Sequence, residues 1–212
     1  MTAHEAETGV KCSLHRVPFF LESDYIDQPE GWWEPHETRM VRKFGSKEAF
    51  ESVKVSHRLM PRAVEAGLDA EGWTEERLGK RRQSPTLRAH RLVAWIDGTR
   101  GWEAAEAAYK VLGHGHFVES ALLNDMELLR AAAVAAGADA DGAENYLRSD
   151  RGEAAVLSAV DAVHRLGIHS IPTLFINGRL VCSGAAGAEE VLSALRRAPR
   201  GAKRAFALLE AL

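Results

Sequence analysis

The stretch that most constrains this chain is 153–183, where apolar spacing switches from a helical period to a strand period within a few residues. Val156, Leu157, Val160, Val163 and Leu166 recur at three- and four-residue intervals, one face of a helix opened by Asp150-x-x-Glu153. Gly167 then supplies a left-handed cap, and Ile168 the apolar residue that follows such a cap. Thr173–Ile176 reads as a short strand, Asn177-Gly178 as a type I′ turn, and Arg179–Ser183 as the return strand. Pro172, directly before the strand, suits a cis peptide in a tight turn or a trans proline starting an edge strand, and spacing alone leaves both open.

Elsewhere the pattern is mostly helical. Residues 1–12 are polar and aperiodic, a frayed or short helical tail. Cys12 to Leu21 alternates loosely as a strand, with Pro18 marking an edge, a bulge or its end. Glu22 to Trp33 is loop. A helix from Pro35 to Gly45 presents Met40, Val41 and Phe44, and Ser46 caps a second helix to about Gly67, divided by Pro61. After irregular residues 68–85, helices are expected over Thr86–Trp95 (with Leu87, His90 or Arg91, and Ala94 on one side), Glu103–Leu112, and from the box Asn124-x-x-Glu127 to Gly137. Further ones are expected over Asp141–Leu147 and Ala188–Leu195, with one more short helix in the tail beyond Pro199. No repeat of 20 to 50 residues is present.

Composition closes off several functions. With 27 basic and 30 acidic side chains in 212 residues, the net charge of −3 gives no footprint for nucleic acid or an anionic membrane. No apolar run approaches the ~20 residues of a membrane span, and the N-terminus has no signal-peptide core. The expected location is the cytoplasm, where Cys12 and Cys182 are free thiols. Two cysteines so far apart make neither a Cys-x-x-Cys motif nor a zinc knuckle. His114-Gly115-His116 lacks a third ligand and reads as a glycine-rich helix break, so no metal is expected. Phosphate loops and nucleophile elbows are absent.

The run Gly167-Ile-His-Ser-Ile-Pro-Thr-Leu-Phe-Ile-Asn-Gly178, continued by Arg-Leu-Val-Cys-Ser-Gly-Ala, resembles the C-terminal half of thioredoxin-like proteins of the DsbA family. Ser84-Pro-Thr-Leu-Arg-Ala-His-Arg-Leu92 is similar to the helix start in the insertion of the FrnE-type branch, although Pro85 stands where that branch usually has asparagine. Arg16-Val-Pro-Phe-Phe-Leu21 resembles the family's second strand more weakly. The resemblance implies an α/β, thioredoxin-like sheet over 13–21 and 150–198, with a helical insertion over 34–149 and tails at 1–12 and 199–212. It implies thiol–disulfide oxidoreductase chemistry in active members, and glutathione-linked chemistry in the hydroxychromene carboxylate isomerase branch. The loop before the proline lies against the reactive thiol in such proteins. Ser170, Ile171, Pro172 and Thr173 are therefore the implied substrate-binding residues, with His90 lining a cleft between subdomains or making a structural hydrogen bond.

The departure from the family lies at the chemistry. Members open with a strand, a Cys-x-x-Cys motif and a first helix whose N-terminus lowers the thiol pKa. This chain offers only residues 1–12 in that place, so the first strand and helix are expected to be missing and the sheet left with an open edge. Either the chain is a truncated product, or it is a degenerate member that keeps peptide-thiol or glutathione binding. Outside those two versions stands a non-catalytic interaction protein that dimerises or accepts a partner's strand. No other cofactor is expected. A two-residue hairpin loop sets Thr173 opposite Cys182, which is then either a lone reactive thiol or a small buried apolar residue. Cys12 is incidental. Trp32 and Trp33 read as a partner surface or a cap on the core, and Lys80–Arg82 and Arg196-Arg197 as solvated faces.

Overall fold

A computed structural model of the chain describes residues 1–26, 28–29, 31–57, 80–184 and 186–198. The chain divides into two compact units, Glu22–Arg151 and a second one made of Met1–Leu21 with the chain from Gly152 onward.

In the unit 22–151, β1 (Glu34–Pro35) pairs antiparallel with β2 (Arg82–Gln83) in a two-residue ladder. Helix α2 (His36–Phe44) ends at left-handed Gly45, and α3 (Lys47–His57) starts where the Ser46 hydroxyl accepts the Ala49 N–H at 3.1 Å. The expected continuation of that helix to Gly67, its division at Pro61, and the start of the 68–85 segment lie outside the described residues. Four helices then form the core: α4 (Leu87–Arg100), α5 (Trp102–Phe117), α6 (Met126–Ala135) and α7 (Ala140–Arg148). Leu92, Ile96, Leu112, Leu129 and Leu147 fill it, and Ala105, Ala108, Ala132, Ala133 and Ala143 let the backbones come close.

Several boundaries differ from the sequence reading for identifiable reasons. Helix α4 runs five residues past Trp95 and buries Ala89, Arg91, Leu92, Val93 and Ile96; of the side expected through Leu87, His90 or Arg91, and Ala94, only Arg91 is buried. Helix α5 continues through Gly113 and Gly115 to Phe117, so His114-Gly115-His116 is not a break. Gly115 is needed for packing instead: a Cβ there would stand 2.6 Å from Leu128 Cδ1. The cap of α6 is Asp125, whose carboxylate accepts the Glu127 N–H, rather than Asn124, which is buried. Of the run Lys80–Arg82, expected as a solvated face, only Lys80 is exposed. Arg81 is buried with its guanidinium 4.8 Å from the Phe117 ring, and Arg82 donates to the Ser120 carbonyl at 3.1 and 3.2 Å.

Arg91 is heavily engaged in this unit. Only 3% exposed, it donates to the carbonyls of Tyr146 (3.2 Å), Leu147 (3.4 Å), Ser149 and Arg151 (2.8 Å), and lies over the Tyr146 ring. The last carbonyls of a helix have no intrahelical donor, and a cation there also meets the negative end of the helix dipole. One side chain of α4 thus completes the end of α7.

In the other unit, residues 2–8 form α1 (Thr2–Thr8), closed by left-handed Gly9, and Glu7 pairs with Arg196 of α9 (Ala188–Arg197) at 2.6 Å. The expected strand at 12–21 does not form: no ladder involves it among the described residues, and Pro18 removes a donor from its middle. Phe20 is buried there, and the Phe19 ring packs edge-on against His164 of α8 (Glu153–Arg165) at 5.5 Å. Helix α8 buries Val156, Ala159, Val160 and Val163, while Leu166, expected on that face, is exposed. Its N-cap is left-handed Gly152, not Asp150. Its C-terminus is the expected glycine stop: Gly167 (φ 73°) donates to His164 at 2.9 Å and Ile168 to Val163 at 3.3 Å, the two bonds of a Schellman motif. Strands β3 (Thr173–Ile176) and β4 (Arg179–Ser183) follow as an antiparallel hairpin through Asn177 (φ 49°) and Gly178 (φ 78°). The tail beyond Pro199 lies outside the described residues. Among the described residues no helix is long and apolar enough to cross a membrane.

Two substitutions test this packing. Arg91→Met should lower the unfolding free energy by about 3 kcal/mol in urea melts, because charge-assisted bonds are lost and helix-end carbonyls are left buried. Arg91→Lys should recover little of it, since an ammonium cannot span the same carbonyls as a planar fork. Gly113→Ala, with open space around its new Cβ, should raise stability by roughly 0.5–1 kcal/mol through helix propensity. The same change at Gly115 should give no gain or a loss, as Leu128 is displaced.

Candidate functional site

The residues singled out before the proline sit in the link between α8 and β3. Ile168 is half-buried, His169 to Pro172 are exposed, and the Ile171–Pro172 peptide bond is cis. Three hydrogen bonds fix this link to the hairpin. The Ser170 hydroxyl meets the Ser183 hydroxyl at 2.7 Å, the Thr173 hydroxyl donates to the Ser170 carbonyl at 2.6 Å, and the Gly184 N–H donates to the Pro172 carbonyl at 2.7 Å. Gly184 has φ 100°, a conformation that favours glycine. The side-chain oxygens of Ser170 and Thr173 are therefore used within the loop. What the loop turns outward is Ile171, 46% exposed, and the ring of Pro172.

The hairpin register differs from simple outward counting. Ile176 faces Arg179 and Phe175 faces Leu180, but Leu174 faces Cys182 and Thr173 faces Ser183. Val181 is the extra residue of a β-bulge, so Cys182 is not opposite Thr173. Cys182 is half-buried and free, across the ladder from Leu174. Cys12 is also free and half-buried, its N–H held by the Glu5 carboxylate at 2.7 Å.

The sequence reading overlooked Ser183, the residue that joins strand to loop. No local pattern marks it, because regular counting from the two-residue turn sets Cys182, not Ser183, opposite Thr173. His90 belongs to the other unit, half-buried on α4. The Trp32 ring lies tilted by 59° against Tyr25 at 4.8 Å between centroids, and Trp33 lies exposed under the Arg82 guanidinium at 5.4 Å. The expected solvated pair Arg196-Arg197 is exposed, with Arg196 tied to Glu7.

His114 and His116, two apart on one helix, diverge: His114 is exposed near Glu119, and His116 is buried. Among the described residues no group of three metal-ligating side chains gathers. Burial pushes the His116 imidazole down to about 4, and the nearby Arg81 charge adds to this against a backbone hydrogen bond at Ala121. Nδ1 of His116 is buried with no hydrogen-bond partner among the described residues, so a proton placed there has no acceptor.

The family model of the DSBA-like thioredoxin domain matches residues 47–196. That span is more than half of the chain, so the chain belongs to the DsbA-like thioredoxin family, and its fold is a thioredoxin-like domain with a helical insertion. No curated protein is significantly similar to it.

Because the folded-state value for His116 lies below the unfolded one, its neutral form stabilises the fold above about pH 6.5, and that stabilisation is lost as pH falls toward 4. Unfolding free energy measured against pH should fall across this window by an amount on the order of 3 kcal/mol. His116→Gln should flatten that part of the profile.

Proposed function

We propose that this chain is a FrnE-type member of the DsbA-like family that binds thiol-bearing ligands at the Ile171–Pro172 loop and carries out little or no dithiol exchange. The carrying observation is the cysteine inventory read against the fold. Exchange in this family needs a nucleophilic thiol and a resolving thiol close enough to bridge, and this chain holds only Cys12 and Cys182, both free. The ligand-binding half of the site is supported by the exposed Ile171–Pro172 pair, held in place by three hydrogen bonds. Peptide thiols or glutathione are the ligands, glutathione in the manner of the hydroxychromene carboxylate isomerase branch. The branch assignment rests on Ala89-His90-Arg91-Leu92, and the cytoplasm is its setting.

One observation favours a second reading, a non-catalytic protein that dimerises or accepts a partner's strand. Among the described residues β3 and β4 form a two-stranded sheet with no third strand, and Leu180 is 61% exposed. A lone hairpin is marginal in water, and an open edge is a template for pairing. Light scattering separates the two, because a stable monomer at working concentrations contradicts strand-mediated dimerisation.

In an insulin-reduction assay the chain should give no turnover above a buffer control. Alkylation of Cys182 should proceed no faster than that of free cysteine at neutral pH. Turnover that disappears in Cys182→Ser would overturn the inactive assignment.

A further inference from the structure

The loop that carries Ile171 and Pro172 is built largely of its own backbone, so something outside it must set its position. Two contacts come from the end of β4. The Ser183 hydroxyl reaches Ser170 on the near side of the cis bond, and the Gly184 N–H reaches the Pro172 carbonyl on the far side. They straddle the exposed Ile171 side chain. The bulge at Val181 makes this arrangement available, because it sets Ser183, not Cys182, opposite Thr173. Thr173 completes the clasp by donating to the Ser170 carbonyl. Each of the three hydroxyls thus makes a hydrogen bond that holds the loop's shape.

We infer that Ser183 is a positioning residue: through Ser170 it holds the Ile171–Pro172 loop in the form that receives the ligand. The inference rests on the reading of this loop as the ligand site, and it names the residue that makes the loop competent. An exposed hydroxyl pair of this kind adds little to global stability, since bonds of neutral groups open to water contribute on the order of 1 kcal/mol or less. Its effect should therefore fall on loop order and affinity.

The test has two readouts on the full chain. Hydrogen exchange at the Gly184 amide reports the bridge to Pro172 and needs no ligand. Ser183→Ala should speed it about tenfold while amides of α8 such as Val160 exchange as before, and Ser183→Thr, which restores a hydroxyl, should return it to within about threefold of the parent chain. Ser170→Ala, which removes the other end of the same bond, should match Ser183→Ala. The second readout is the Kd for S-methylglutathione and for an extended peptide with a central S-methylcysteine, read from the Ile171 amide resonance. Ser183→Ala should weaken binding of whichever probe binds by about tenfold, with rescue by Ser183→Thr.

Gly184 exchange unchanged in Ser183→Ala, an equal rise at Val160, or no rescue by threonine would each overturn the positioning role. If the parent chain binds neither probe, the ligand-site reading of the loop falls, and the exchange rates decide the clasp on their own.

Discussion

The helical core of the unit 22–151 depends on one buried cation in particular, Arg91. Arg91 carries a full charge into a site it can occupy only because the end of α7 offers carbonyls with no donors of their own. Each party would be costly alone: a guanidinium without acceptors, and helix-end carbonyls without donors. Together they fix α7 against α4, and the alanine-lined faces of α5 and α6 close around the same core. Tyr146 supplies both a carbonyl and a ring to the guanidinium, and Trp95 stacks on that ring at 5.1 Å. Polar and aromatic contacts therefore converge on one residue of the Ala-His-Arg-Leu run.

The other unit, Met1–Leu21 with the chain from Gly152 onward, is organised differently. Its helix α8 has a buried apolar face, but its hairpin has no fully buried residue, and α9 has none either. Order there comes from backbone stops and short hydrogen bonds: the Schellman end of α8, the type I′ turn, and the clasp at Ser170, Ser183 and Gly184. Such contacts specify geometry more than they add stability.

What could be read from the sequence follows from how local each signal is. The α8 stop at Gly167-Ile168, the turn at Asn177-Gly178 and both strands of the hairpin are set by residues within a few positions of each other, and their bounds match the reading. Where a partner distant in sequence decides, the reading failed. Gly115 looked like a breaker because Leu128, which demands its missing Cβ, is on another helix. Arg81 looked like a surface charge because its burial and its contact with Phe117 depend on α5. The segment at 12–21 had a strand's alternation, but a strand also needs a neighbour to pair with, and spacing cannot supply one. At the candidate site the loop was legible from Ile171-Pro172, and its tether was not. A bulge changes which residues face each other without changing which residues are apolar.

That bulge has a genetic corollary. The hairpin turn fixes the pairing of Ile176 with Arg179, so the identity of the residue beside the loop is set by how many residues β4 spends before reaching it. One codon gained in β4 before Cys182, with the one-residue bulge kept, would set Cys182 opposite Thr173 and bring its sulfur to the place now held by an alcohol. The strand thus keeps a thiol one inserted residue away from the loop that carries the cis bond.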